Sequence, residues 1–154
     1  MHHTAGQECL DAEDCVIRVR EIQTDQMRRM NFSDITYNFL VGGDGRVYEG
    51  CGWDRAASLR SLGPEFQDAL SMALVGTYTQ ACPHFAQLDA LAKAVGFFAE
   101  QGKLTADYRL VGACQLINTA SPGLCFMEEL ATWDHWWRVS RAPEEPCPVS
   151  PWTP

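Results

Sequence analysis

The sequence has few of the groups that several classes of protein need in excess. Its 154 residues include 12 lysines and arginines against 20 aspartates and glutamates, so the formal net charge is −8. This balance argues against the basic face of a nucleic-acid-binding protein. No apolar run approaches the ~20 residues that a membrane-spanning helix needs. No apolar stretch precedes Met1 as a signal peptide would. We therefore expect no nucleic acid partner and no membrane segment in this chain.

Histidine is scarce as well. The chain has only His2, His3, His84 and His135, whereas a catalytic zinc site commonly uses three protein ligands and a water molecule. Neither His84 nor His135 has another histidine three or four residues away, so sequence spacing gives little support for a metal site. His84 follows a proline and is typical of a surface loop. His135 lies among tryptophans and is typical of a packed helix end.

Cysteine, in contrast, is abundant, with seven residues. Cys9 and Cys15 enclose the acidic segment "CLDAEDC", and we expect them to form a disulfide. A high density of cysteines indicates an oxidising compartment, although buried cysteines can also serve as small hydrophobic residues. The odd count leaves at least one thiol without an intramolecular partner, and Cys147 is the first candidate. The pairing of the remaining cysteines stays open: Cys51, Cys82, Cys114, Cys125 and Cys147.

Apolar periodicity predicts three helices in one domain. The second covers residues 86–100, and the third follows Pro122-Gly123. The first covers residues 11–30 and places these apolar residues on one face: Val16, Val19, Ile22, Met27 and Met30.

The strand signals are equally distinct. Alternation over residues 35–41 predicts a strand, and the glycine-rich residues 42–45 predict a hairpin turn that returns over residues 46–49. The apolar run "ALSMALVGTY" is expected of a central strand, and "YRLVGA" of a short one. Together these elements predict an α/β domain with a mixed central β-sheet flanked by helices. Residues 51–68 are predicted to be loop.

Six longer motifs occur in order along the chain: "HHTAGQEC", "DITYNFLVGGDGRVYEG", "SMALVGTYT", "GKLTADYRLVGACQ", "TASPG" and "WDHWW". They closely resemble the peptidoglycan recognition proteins, a family related to N-acetylmuramoyl-L-alanine amidases. The resemblance covers roughly residues 2–137. It implies an amidase-like peptidoglycan recognition domain over residues 1–138, truncated before "HHT". Residues 139–154, rich in proline, are expected to form a disordered tail.

In amidase members of this family, zinc is held by the first histidine of "HHT", a histidine of "GHR" and a cysteine of "CPG", and a tyrosine of "YNF" assists catalysis. The corresponding residues here are His2, Ala113, Ser121 and Tyr37. A methyl group has no lone pair, and a serine hydroxyl stays protonated near neutral pH. The resemblance therefore implies no catalysis, no bound metal and no cofactor, with His2 and Tyr37 as remnants. Cys114 would point away from residue 113 on a strand, so it is not expected to replace the missing ligand.

The resemblance further implies innate-immune recognition of bacterial peptidoglycan or muramyl peptides. The residues expected to bind the ligand are polar groups and one aromatic wall: His3, Thr4, Tyr37, Trp53, Thr119 and Ser121. Core packing is the alternative role for Tyr37 and Trp53. Several family residues are replaced, among them the arginine of "EGRGW" by Cys51 and a groove histidine by Leu59. Arg55 or Arg60 could restore a contact to an anion. The preference between lysine-type and diaminopimelate-type stems stays open.

Two alternatives accompany this interpretation. The groove could have lost its ligand, so that the domain acts as a signalling decoy or as a homo- or heterodimer partner of a related receptor chain. The other alternative is a working zinc-dependent amidase. The family implies an extracellular location, either as a secreted protein or as a receptor ectodomain.

Overall fold

A computed structural model describes residues 1–53 and 63–139, apart from the side chain of Glu65. This part of the chain contains the helices α1 (Ala12–Arg28), α2 (Phe85–Glu100) and α3 (Leu124–Leu130). Its strands are β1 (His2–His3), β2 (Phe39–Val41), β3 (Val47–Glu49) and β4 (Met72–Leu74). Short 3-10 turns occur at Pro64–Phe66 and Ala113–Gln115. Within the described residues, no helix is long and apolar enough to cross a membrane.

The four strands form one sheet in the order β1-β4-β2-β3. β4 runs parallel to both β1 and β2, whereas β2 and β3 are antiparallel. All three residues of β4 are buried, as expected of an apolar strand in the middle of a sheet. The predicted turn between β2 and β3 is present, with the Gly42 amide donating to the Arg46 carbonyl at 2.9 Å. The prediction of a mixed sheet in an α/β domain is confirmed.

The two faces of the sheet pack against different helices. Phe39 and Val41 of β2 join Leu91, Val95 and other residues of α2 in one apolar cluster. The residue between them, Leu40, packs in a second cluster on the α1 side of the sheet. This alternation along a strand explains how the three consecutive apolar residues of β2 can serve two cores.

The first helix buries a different face from the one predicted. Asp11 caps it through a hydrogen bond from the Asp14 amide to Oδ1 at 2.9 Å. Its inner stripe consists of Cys15, Val19, Ile22 and Gln26, spaced four, three and four residues apart. The prediction was wrong for three apolar residues that lie beside this stripe and are exposed: Val16, Met27 and Met30.

Two of the predicted strands are shorter in the structure. Residues 35–38 lie before the start of β2, although the Asn38 amide donates to the Ser71 carbonyl and the Tyr37 carbonyl accepts from the Cys51 amide, both at 2.9 Å. Gln26 holds the residue before them, since its Oε1 accepts from the Thr36 amide at 2.8 Å. "YRLVGA" forms a bridge at Leu110 to Trp136 rather than a strand. Two backbone hydrogen bonds join it to Met1, from the Met1 nitrogen to the Val111 carbonyl and from the Ala113 amide to the Met1 carbonyl. Trp133 lies just beyond α3 and packs against the α2-side cluster.

Two disulfides connect described residues. Cys9 and Cys15 are bonded as predicted, with a Cα–Cα distance of 5.0 Å. Cys82 and Cys125, whose pairing the sequence left open, join the segment before α2 to α3 across 43 residues. Cys114 is disulfide-bonded as well. Cys147 and the predicted tail beyond Val139 lie outside the described residues.

A buried glutamine joins α2 to the sheet. The Gln87 Nε2 donates to the Val41 carbonyl at 2.7 Å and lies 3.2 Å from the Val75 carbonyl. Its Oε1 accepts from the Tyr78 hydroxyl at 2.7 Å. Burial raises the pKa of Tyr78 to about 12, so the hydroxyl keeps the proton that it donates. The side chain of Gln87 thus satisfies polar groups that no apolar residue could.

Replacing Gln87 with leucine should lower the free energy of unfolding by about 2 kcal/mol, because the Val41 and Val75 carbonyls and the Tyr78 hydroxyl each lose one of their buried hydrogen bonds. Urea denaturation at pH 7 measures the change. Gln101→Leu, at the exposed end of α2, is the matched control and should stay within about 0.5 kcal/mol of the unmodified chain. Equal stability of the two variants would contradict the structural role of Gln87.

Candidate functional site

His2 and Tyr37, which the sequence analysis treats as remnants of an active site, lie side by side. Their ring centroids are 5.5 Å apart at an interplanar angle of 55°. β1 places His2 in register with Ala73, and Ala73 belongs to the cluster on the α1 side. Tyr37 packs against the same cluster from the segment before β2. The structure therefore brings the two rings together on one face of the sheet.

Both rings are neutral near pH 7. Burial lowers the pKa of His2 to about 3, and the positive charges of the N-terminal amino group and of His3 add to this effect. Burial also raises the pKa of the Tyr37 hydroxyl. An uncharged imidazole can donate through one nitrogen and accept through the other, and the phenol can do both. The pair is suited to hydrogen bonding of neutral polar groups.

The two other positions of the family zinc site lie next to β1. The Ala113 amide donates to the Met1 carbonyl at 2.9 Å, and Ala113 opens the 3-10 turn Ala113–Gln115. Ser121 reaches the same edge of β1, because its Oγ accepts from the His3 amide at 2.9 Å and alternate residues of a strand bond to the same side. The Cys114 amide donates to the Ser121 carbonyl at 2.8 Å, which holds the two segments together.

The donor set at these positions is poor in metal ligands. Over residues 1–53 and 63–139, no three or more histidines, cysteines, aspartates or glutamates form a group that could hold a metal ion. Cys114 lies in the 3-10 turn rather than on a strand, so the strand argument used for it above was wrong. Since Cys114 is disulfide-bonded, it offers no thiolate.

His3 is buried, whereas its neighbour His2 is half-buried. Its Nδ1 lies 3.0 Å from the Pro122 carbonyl oxygen and 3.2 Å from the Tyr78 amide nitrogen. Burial lowers the pKa of its imidazole. These contacts tie β1 to the segments that follow β4 and precede α3. His3 therefore lies in the interior of the domain, beneath the His2–Tyr37 pair.

The two predicted threonines are half-buried and oriented by the backbone. The Thr4 Oγ1 accepts from the Gly76 amide at 3.0 Å. The Thr119 Oγ1 accepts from the Ser121 amide at 3.2 Å. Each hydroxyl is held in place by a backbone donor, one at the end of β1 and one in the segment before α3.

The structure does not bring Trp53 to this group. Its ring packs against Phe39 and Phe98, with centroids 4.7 Å apart in both cases, and Lys103 Nζ lies 5.2 Å from its centroid. Phe39 faces α2, so Trp53 belongs to the cluster on the opposite side of the sheet from Tyr37. Trp53 therefore packs in the core, which was the alternative to its predicted role as the wall of a ligand site. Leu59, Arg55 and Arg60 lie outside the described residues.

The sequence analysis missed one feature near His2. A cavity of about 420 Å³ is lined by His2 and Ala113 and also by residues of the segment "KLTADYRLV", which links α2 to the 3-10 turn. That segment carries Asp107, Tyr108 and Arg109 shortly before Gly112, but no sequence pattern indicates that it lines a cavity.

Comparison with known proteins identifies the class of domain to which the chain belongs. The family pattern "Amidase_2: N-acetylmuramoyl-L-alanine amidase" matches residues 1–128, so the chain is an amidase-like domain. Peptidoglycan recognition protein 4 of Mus musculus is 40% identical over 134 residues, which is 86% of this chain and 35% of the mouse protein. The chain thus spans about a third of that relative's length.

Two solved structures are similar in fold. The first is the ectodomain complex of peptidoglycan recognition proteins LCa and LCx bound to tracheal cytotoxin (37% identity, TM-score 0.84, 90% of this chain and 82% of that chain). The second is human PGRP-IBETAC in complex with glycosamyl muramyl pentapeptide (37% identity, TM-score 0.82, 88% and 82%). The chain belongs to the peptidoglycan recognition protein family.

The lowered pKa of His2 predicts a loss of stability in acid. Between pH 6.5 and about 3 the unfolded chain binds a proton at His2 that the folded chain does not. The stability that neutral His2 contributes is therefore complete above pH 6.5 and declines as the pH falls towards 3. In His2→Gln, the urea denaturation midpoint should fall less between pH 7 and pH 4 than in the unmodified chain.

His84→Gln, which removes an exposed histidine whose Nε2 lies 3.0 Å from Glu8 Oε2, is the control for a general effect of histidine replacement. Parallel pH curves for the unmodified chain and His2→Gln would contradict the burial of an uncharged His2.

Proposed function

We propose that this domain binds muramyl peptides of bacterial peptidoglycan without hydrolysing them. The observation that carries the proposal is the His2–Tyr37 pair, which keeps its position beside β1 while a methyl group and a hydroxyl stand at the neighbouring positions Ala113 and Ser121. A relative of the same fold was solved with a glycosamyl muramyl pentapeptide. Membership of the family supports the same class of ligand here.

The residues around His2 do not fit a catalytic zinc ion. Such an ion commonly needs three protein ligands and an open position for water. Ala113 has no donor atom, and the Ser121 Oγ already accepts a hydrogen bond from the His3 amide. A serine hydroxyl also keeps its proton near neutral pH, unlike a cysteine bound as thiolate. We therefore derive no catalytic step and expect neither zinc nor another cofactor.

The proposed ligand contacts are hydrogen bonds from uncharged groups. Tyr37 offers a hydroxyl beside His2, and Thr4 and Thr119 offer hydroxyls that backbone amides hold in place. Muramyl peptides carry amide and hydroxyl groups that such partners can pair with. The role we assign to His3 and Ser121 is to hold β1 beneath the ligand, since both are buried.

A decoy or dimer partner is the second candidate function. The observation that favours it is the related structure described as an ectodomain complex of two members of the family. The disulfides Cys9–Cys15 and Cys82–Cys125 support an oxidising, extracellular location for this domain too. Under this candidate, the chain would pair with a related receptor chain and its groove would not bind muramyl peptides.

Isothermal titration with muramyl tripeptides and pentapeptides of both stem types should detect binding to the domain. Tyr37→Phe should weaken it about three- to tenfold, because one neutral hydrogen bond is lost. Tyr48→Phe is the matched control, since that hydroxyl donates to Asp44 in the hairpin at 2.7 Å. Heat at the noise level for every stem type would contradict muramyl-peptide binding, and capture of a related receptor chain in the same preparation would then support the dimer partner.

Restoring both donors should restore metal binding. We expect stoichiometric zinc by metal analysis only in the double variant Ala113→His with Ser121→Cys, because each single variant leaves His2 with too few partners. Ala113 is buried, so circular dichroism must show that each variant is folded. Zinc in the unmodified chain, together with cleavage of peptidoglycan, would overturn the non-catalytic assignment in favour of the amidase.

A further inference from the structure

The chain has three asparagines, and one of them begins a sequence pattern with a defined chemical meaning. Asn31 opens the tripeptide "NFS", in which a serine hydroxyl follows two residues later and the middle residue is not proline. This pattern is the acceptor sequence for N-linked glycosylation and is typical of surface loops in secreted proteins. Neither Asn38 nor Asn118 has a serine or threonine two residues further on. The sequence therefore selects Asn31.

The tripeptide lies in an exposed turn after α1. Asn31, Phe32 and Ser33 are all exposed, whereas Asn38 is buried. Asn31 adopts a φ of 58°, in the left-handed region that asparagine enters more readily than most residues. Within residues 1–53 and 63–139, the side chains of Asn31 and Ser33 make no hydrogen bond to another residue. Both groups that the pattern requires are therefore open to solvent in the folded chain.

The hydrogen bonds that hold this turn do not use the side chain of Asn31. The Phe32 amide donates to the Gln26 carbonyl at 3.1 Å, and the Gln23 Nε2 donates to the Asp34 Oδ1 at 2.7 Å. A substituent on the Asn31 side chain would displace neither bond. An oligosaccharide attached there, although bulky, is therefore compatible with the fold.

Three apolar side chains close to Asn31 in the sequence are exposed. Their exposed fractions are 41% for Met27, 56% for Met30 and 45% for Phe32. Neighbouring apolar groups on a surface favour association with other molecules unless something covers them. A hydrated sugar chain on Asn31 would begin between Met30 and Phe32.

The cysteines indicate that the chain passes through a compartment in which such sugars are added. Disulfides such as Cys9–Cys15 and Cys82–Cys125 form in oxidising compartments, which include the lumen of the endoplasmic reticulum. N-linked sugars are attached to secreted proteins in the same compartment. The inference rests on the extracellular location proposed above, and it is independent of muramyl-peptide binding.

We propose that Asn31 is an N-glycosylation site and that its sugar covers the apolar side chains beside it. The donor is an oligosaccharide linked through a diphosphate to a membrane lipid, and a transferase of the secretory pathway catalyses the step. The Asn31 Nδ2 attacks C1 of the first sugar, so that an N–C1 bond forms and the bond from C1 to the diphosphate oxygen breaks. The lipid diphosphate leaves with the electron pair of that bond, and one amide proton passes to a base of the transferase.

The test is mass spectrometry of the chain secreted from cultured insect cells behind a cleavable signal peptide. We expect an oligosaccharide on the peptide that contains Asn31, and its removal by peptide N-glycosidase should leave aspartate at that position. Ser33→Ala and Asn31→Gln should lose the sugar completely, whereas Ser33→Thr should keep it, because threonine also supplies a hydroxyl. An unmodified chain without sugar at Asn31, or a Ser33→Ala chain that keeps it, would overturn the proposal.

A second acceptor pattern provides the control for access to the transferase. Ala120→Ser places a serine two residues after the exposed Asn118, and in combination with Asn31→Gln it should receive a sugar at Asn118. Sugar on that variant but not on the unmodified chain would overturn the assignment of Asn31. Sugar on neither would overturn the extracellular location as well. Titration of the same secreted chain with muramyl peptides tests the proposed binding separately.

The covering role has its own measurement. Met27 and Met30 should be oxidised by hydrogen peroxide at least about twofold more slowly in the glycosylated chain than after treatment with peptide N-glycosidase. Met72, which is buried in β4, is the internal control and should react at the same rate in both samples. Equal rates at Met27 and Met30 with and without the sugar would overturn the covering role.

Discussion

The hydrogen bonds on both sides of β1 are the interactions on which the rest of the site depends. β1 is only two residues long, yet β4 holds it on one side and the segment around Ala113 on the other. The hydroxyl of Ser121 then fixes the His3 amide. Because successive residues of a strand face opposite sides, this anchoring places the half-buried His2 beside Tyr37 and buries His3 on the other side. A short strand can position a site accurately when its backbone is held along both edges.

The hydroxyl of Ser121 illustrates how recognition and catalysis make different demands on one position. As a hydrogen-bond acceptor it stabilises the strand beneath the groove. A metal ligand at the same position would have to direct its lone pair to the ion instead. The domain therefore keeps an amidase-like fold while the hydroxyl at this position serves the fold. Similarity of fold alone could not distinguish these two uses.

The sequence predicted the elements whose signals are local. α2 and β4 were found because their apolar patterns are strong, and the Gly42–Gly45 turn because glycine favours tight turns. The inner face of α1 was partly mistaken, since Val16 and Met27 lie only a fraction of a turn from the buried stripe. The side of the sheet on which Trp53 packs depends on the direction of Phe39, which is a property of the folded chain.

Features formed by residues far apart in the sequence could be identified only from the structure. The Cys82–Cys125 pairing, the contact of Ser121 with β1 and the cavity behind Met1 all join segments distant in sequence. Contacts of this kind leave no periodic pattern in the amino-acid sequence. Resemblance to a family supplied the correspondence of His2, Ala113 and Ser121, and the geometry then showed which atoms those residues place near one another.

The buried amide of Gln87 has a wider consequence. It binds the Tyr78 hydroxyl, and the Tyr78 backbone amide lies against the His3 ring. α2 is thereby connected through two side chains to the floor beneath His2, although the helix lies on the opposite face of the sheet. Local opening of α2 would break the hydrogen bond between Gln87 and Tyr78 on which this connection depends. The position of His3 thus depends in part on a helix on the other face of the sheet from the His2–Tyr37 pair.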